Sequence, residues 1–359
     1  MFMRLEARSE PSQKLTYLSP VIAVALTVII VGFIFLAMGI DPLLGLKTYF
    51  ITPLAKLSSV YELLVKASPL VLIAVGLIFC FRANIWNIGA EGQYTLGAIF
   101  GGWMAVTFHE SESMLLLPAV ILAGVLGGML WAAIPALLKI YFRANEILTS
   151  LMLTPVAVLL LDYLVRGPLR DPGGYNMPES RSFPDAAILP TLFNSYSFHI
   201  GIFISLITAI LATVLLYKAM LGYKVDVSGN APRAARFGGF SSIKMTLIVF
   251  LISGACAGLA GTIEVSARTN QLIPTIPLGY GFTAIIVAFL GRRNPIGAVF
   301  AGLLLALSYM GGEEVQVKLQ GPSDLTGVLQ GLLLFLLLGC DTLINHKVSF
   351  SSGAVTNES

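Results

Sequence analysis

Residues 61–108 read YELLVKASPLVLIAVGLIFCFRANIWNIGAEGQYTLGAIFGGWMAVTF. An apolar run, a polar break and a second apolar run follow one another. Between the runs, or just inside the second, stand Arg82, Asn84, Asn87, Glu91 and Gln93, interleaved with Gly89, Gly92 and Gly97. The same alternation fills the chain. Hydrophobic residues make up 56% of its 359 positions and charged residues 11%, against roughly 25% charged in a soluble domain. The apolar residues come in long blocks and not in amphipathic stripes, so the solvent they face is lipid. This is an all-α polytopic membrane protein.

A spanning helix takes about 20 mostly apolar residues. Ten segments qualify: 18–40, 61–81, 92–108, 114–138, 145–165, 198–217, 243–263, 276–291, 295–311 and 325–345. The first follows Arg4, Arg8 and Lys14 as a signal peptide would, but Val21 to Ile40 outlasts the roughly 7–15 residues of a signal core and reads as a retained helix. With both termini in the cytoplasm, most of the 22 basic residues fall on inside segments, as the positive-inside rule requires. The expected organisation is a cytoplasmic tail at 1–17, a single transmembrane domain at 18–345 and a cytoplasmic tail at 346–359. Within that domain 166–197 is an external loop and 222–244 an internal one.

Glycine pairs at helical spacing, Gly97 and Gly101, Gly124 and Gly128, Gly254 and Gly258, allow helix backbones to approach closely inside such a bundle. The net charge of +3 is spread along the chain and gives nucleic acid no patch to bind. Cys80, Cys256 and Cys340 lack the spacing of a disulfide framework or a metal site. His109, His199 and His346 lie far apart, and neither H-E-x-x-H, nor a nucleophile elbow, nor G-x-x-x-x-G-K-[ST] occurs. No catalytic residue, metal site or cofactor is therefore expected. Transport, a channel or a structural membrane subunit remain.

Two polar stretches weigh between these. In the first, 81–97, the glycines permit the backbone to leave a helix, and non-helical backbone at membrane depth survives only when buried in protein or lining a cavity. Asn84, Asn87, Glu91 and Gln93 are accordingly candidates to line a substrate path, joined by Asn145 and Thr149 further along. The second, GYKVDVSGNAPRAARFGGFSSIK at 222–244, carries a helix start at Pro232 and a stop at Gly238 and Gly239. It suits a docking helix, small-faced at Ala234 and Ala235. A secondary transporter would show ionisable groups deep in its spans, whereas the candidates here, Lys66, Glu91 and Asp162, lie near helix ends. No channel selectivity filter is visible.

Asn-Ile-Gly-Ala-Glu-Gly-Gln at 87–93, NEILTSLMLTPVAVLLLDYLVRGPLRDPGG at 145–174, the Gly-Asn-x-x-x-Ala-Ala-Arg-x-x-Gly pattern at 229–239 and RRNPIGAVFAGLLLALSYMGG at 292–312 carry a resemblance. From about residue 60 to 340 the chain resembles the permease subunits of the nucleoside and simple-sugar branch of bacterial ABC importers, a ribose-type family akin to branched-chain-amino-acid permeases. The resemblance implies a multi-pass protein of the bacterial cytoplasmic (inner) membrane. It implies a second homologous permease, a cytoplasmic ATP-binding subunit that alone uses ATP, and an extracytoplasmic solute-binding lipoprotein. It makes 222–244 the coupling loop, with Gly229, Asn230, Arg233, Ala234, Ala235 and Arg236 as ATPase contacts. The substrate expected is a neutral polar solute, a nucleoside ahead of a simple sugar, since Asn-Ile-Gly-x-Glu-Gly-Gln looks more like the nucleoside branch. Two positions depart from the family pattern: Pro155 stands where Asn is frequent, and Asp226 where a basic residue is frequent.

Overall fold

The computed structural model describes residues 2–7, 13–174, 177–192 and 198–351. In chain order the elements are β1 (Phe2–Ala7), α1 (Gln13–Ala37), α2 (Pro42–Leu46), α3 (Leu57–Arg82), α4 (Ala90–Thr107), α5 (Leu116–Phe142), α6 (Glu146–Arg166), α7 (Gly201–Tyr217), α8 (Met220–Asn230), α9 (Pro232–Phe237), α10 (Ser242–Glu264), α11 (Tyr280–Leu290), α12 (Pro295–Leu319), α13 (Leu325–Asn345) and β2 (His346–Ser351). Each of the ten apolar segments holds a helix. Among the described residues six of them are long and apolar enough to cross a membrane by length and composition, and a seventh is reached only if α7 and α8, bent by 69°, are counted as one span. The segment 276–291 departs most from expectation. Its helix, α11, has 11 residues and is about 16 Å long at 1.5 Å per residue, half of a bilayer core.

The chain divides into two compact units. One comprises the chain up to Ala55 together with residues from Ser308 onward. In it α1 and α13 enclose a core of Val31, Phe35, Tyr49, Val315, Leu325 and Leu329. The Tyr49 hydroxyl is satisfied by the Ser308 carbonyl at 2.8 Å and lies 2.6 Å from the Ser308 hydroxyl, which lets a phenol sit in an apolar interior. The antiparallel pairing of β1 with β2, Phe2 opposite Ser351 through Ala7 opposite His346, brings the two ends of the chain together.

The other unit, Lys56–Leu307, contains the polar stretches. Its centre is α3, in which 89% of the most apolar window is buried, against 28% for α5 and 22% for α6. Helices α4, α5 and α10 meet through the predicted glycine pairs. A Cβ built on Gly97 would stand 2.3 Å from the Gly258 Cα, and one on Gly128 2.2 Å from the Gly254 carbonyl oxygen. No hydrophobic effect drives helices together in lipid, so this backbone contact supplies dispersion that larger side chains would prevent. Helix α10 runs on into a π-helical turn, Val265–Thr269. Segments 180–189 and 266–272 pair over its end: Ser180 N–H donates to the Leu272 carbonyl (3.0 Å), Phe183 N–H to Asn270 (2.8 Å) and Leu189 N–H to Ser266 (2.8 Å).

Candidate translocation and coupling elements

The break that opens the sequence is a tight reversal between α3 and α4. Helix α3 ends in a Schellman turn: Asn84, at φ 55°, donates to the Phe81 carbonyl, and Ile85 N–H reaches back to Cys80. Asn84 is exposed and terminates the helix, a left-handed position that asparagine tolerates. From there the backbone runs non-helically to Gly89, with Asn87 fully buried.

Asn87 and Gln93 form a reciprocal amide pair, each Nδ2 or Nε2 donating to the other's oxygen at 3.0 Å. Asn87 also donates to the Ser253 hydroxyl (3.0 Å) and accepts from Gly89 N–H (3.1 Å). Ile88 N–H donates to the Ser150 hydroxyl on α6 (3.1 Å). Three helices, α4, α6 and α10, are thereby tied to a segment without secondary structure, and the polar groups of Asn87 are spent internally.

Glu91, 2% exposed, begins α4 and points at the start of α11. One carboxylate oxygen accepts from Gly279 N–H at 2.8 Å and the other from Gly281 N–H. The N-terminus of a helix leaves its first amides unpaired and carries partial positive charge, so an anion is stabilised there. Gly279 at φ 80° supplies the turn, and Gly281 lets α11 abut α4, since a Cβ on it would lie 2.2 Å from the Glu91 nitrogen. Glu91 is a cap for a half-length helix 188 positions away.

Of the other path candidates, Asn145 is the exposed N-cap of α6, accepting from Ile147 N–H at 2.9 Å, and Thr149 is half-buried and bonds to the Asn145 carbonyl at 3.0 Å. The structure adds two residues that the sequence reading missed. Beside Gly92 stand Trp131, its indole nitrogen 2.9 Å from where a Cβ would be, and Thr154. Their side-chain polar atoms are buried with no partner among the described residues. One local signal marks this place: Thr154 precedes Pro155, whose ring removes an amide donor from α6.

The second polar stretch is two helices. Chain reversal after α7 puts Gly222 where a Cβ would lie 2.0 Å from the Leu216 carbonyl oxygen. Helix α8 then carries the departure Asp226, which pairs with Arg82 at the end of α3: Nε donates to Oδ1 at 2.7 Å and a terminal nitrogen to Oδ2. The guanidinium also lies 4.9 Å from the Tyr217 ring centre. Gly229, one turn on, faces the Arg82 carbonyl oxygen, 2.1 Å from a built Cβ. Helix α9 begins and ends as predicted, at Pro232 and before Gly238. Asn230, Arg233, Ala234 and Arg236 are exposed, as is Phe237 at 95%. Ala235 is buried against its own chain, and the exposed face of α9 runs through Ala234 and Phe237.

The model of the branched-chain amino acid transport system / permease component family matches residues 59–338. The chain belongs to this family of ABC transporter permeases. The permease is 34% identical, over 97% of its own length and 94% of the relative's, to a glucose ABC transporter permease of Haloferax volcanii. It is 26% identical to a nucleoside ABC transporter permease of Lactococcus lactis, over 82% and 83% of the two chains, and 26% identical to a guanosine ABC transporter permease of Bacillus subtilis, over 88% and 91%. No solved structure matches it. Permease subunits of ABC transporters are not themselves enzymes.

Proposed function

We propose that the permease forms, with a second homologous permease, the import path for a neutral hydroxyl-rich solute across a prokaryotic cytoplasmic membrane. A cytoplasmic ATPase drives it, and an extracytoplasmic solute-binding lipoprotein delivers the solute. The observation that carries this reading is the state of Glu91, the one carboxylate of the buried reversal. Both of its oxygens accept from backbone amides at the start of α11, so its hydrogen bonds are directed at the fold and not at a substrate. Asn87 and Gln93 are equally engaged, and they support the path by holding its wall. Beside this wall, the side-chain polar atoms of Thr154 and Trp131 have no partner among the described residues, and both are neutral.

A monosaccharide is the favoured solute, on the 34% identity to a glucose permease across nearly the whole chain. A nucleoside is the second reading, favoured by Asn-Ile-Gly-Ala-Glu-Gly-Gln at 87–93 and the two nucleoside-type relatives. In this reading α8–α9 and the two strands β1 and β2, which pair with each other, lie on the cytoplasmic side, and 166–197 lies outside. The test is uptake into proteoliposomes holding the complete transporter, with radiolabelled glucose and radiolabelled guanosine in parallel. ATP-dependent accumulation of glucose is expected. Accumulation of guanosine alone supports the second reading, and accumulation of a charged solute alone overturns both.

A further inference from the structure

We infer that Arg82 is the positioning residue through which α8–α9 moves the buried reversal, because α8 grips both its side chain and its carbonyl. Asp226 and Gly229 stand three residues apart on α8 and so share one face of it. Asp226 takes the guanidinium in a two-pronged pair, a planar match that fixes direction as well as distance. Gly229 comes against the Arg82 carbonyl so closely that no side chain fits between. The two contacts hold one residue from two sides. A shift of α8 therefore carries Arg82 with it.

Arg82 is the last residue of α3, and the reversal starts at the next position. Five residues beyond it lies Asn87 with its amide pair to Gln93, and nine beyond it Glu91 with its hold on α11. The pair is partly buried, with side chains 15% and 33% exposed, so removing one partner leaves a charge that water only partly solvates. The aromatic face of Tyr217 limits the guanidinium on the α7 side. The acid at 226 thus has a partner inside the chain.

This inference rests on the reading of α8–α9 as the ATPase contact, and the experiment separates the two. The complete transporter is reconstituted with Asp226→Asn, Arg82→Gln, the double variant, Gly229→Ala and Phe237→Glu, at equal permease levels. Two quantities are read: ATPase subunit retained on the permease, and the stimulation of ATP hydrolysis by substrate. Phe237→Glu, on the exposed end of α9, should lose the ATPase subunit; if it retains the subunit and its stimulation, the contact reading fails. Asp226→Asn should retain the subunit and lose stimulation by about tenfold, within the range of ordinary coupling energies, and Gly229→Ala should lose stimulation likewise. The double variant should match the single charge variants, because a pair acting as one unit is lost only once. It also leaves no charge unpaired, so it reports even where a single variant does not assemble. Stimulation within about twofold of wild type in Asp226→Asn or in the double variant, or multiplied losses in the double, overturns the inference.

Discussion

Removing the cap on α11 should loosen that helix before it does anything else. Glu91→Ala leaves the amides of Gly279 and Gly281 facing a small apolar group in a site closed to water. A hydrogen bond to a charged acceptor is worth about 1.5–3 kcal/mol, so losing two costs about 3–6 kcal/mol locally. Glu91→Gln keeps one acceptor oxygen and turns an NH2 group toward the second amide, giving up about half of that. Hydrogen exchange at Gly279 and Gly281 reads the bonds directly. A loss of about 3 kcal/mol accelerates exchange there a hundredfold or more, while amides in α3 stay at their wild-type rates. Transport should follow the same order, with Ala more impaired than Gln. Unchanged exchange in Glu91→Ala would refute the capping argument, and equal complete loss of transport in both variants would mean that the charge acts on the solute or on a proton.

The size limit at the three-helix contact is equally direct: Gly97→Ala places a methyl on the Gly258 backbone, which cannot rotate away, and should destabilise by about 1–3 kcal/mol or more in a detergent melt. Gly327→Ala, with open space at its Cβ, should leave the melt unchanged or raise it slightly. On α9, Ala234→Trp should block retention of the ATPase subunit with the permease folded, whereas Ala235→Trp should lower permease yield, because its methyl is already enclosed. Impermeant thiol reagents added outside intact cells should reach Met177→Cys and spare Phe237→Cys, both exposed in the fold; labelling of both from outside contradicts the proposed sidedness.

What the sequence revealed was local. Ten apolar runs became ten helices because helix formation in lipid is dictated within each segment, where every backbone group must find its partner. Pro232, Gly238 and Gly239 bounded α9 for the same reason, and the spaced glycines found one another because few other residues permit such contact. What stayed hidden was long-range. The partner of Glu91 is set by topology across 188 positions, and nothing near either residue announces it. Asp226 looked anomalous until Arg82, 144 positions earlier, was seen beside it. Ala234 and Ala235 are indistinguishable in composition, and only the docking angle of α9 decides which is covered. The candidate path residues failed to separate wall from lining, since an amide that braces a backbone and one that greets a solute are the same residue type.

The contact of α4, α5 and α10 has a kinetic meaning. Where side chains interdigitate, helices can slide by hopping between rotamers, each step small. Where glycine backbones touch, as Gly97 touches Gly258 and Gly128 touches Gly254, there are no rotamers to exchange, and displacement requires parting the helices outright. That trio behaves as a stator. Around it, α8 is tied through Arg82 and α11 through Glu91, each by hydrogen bonds to a charged side chain as well as by close contact at a glycine.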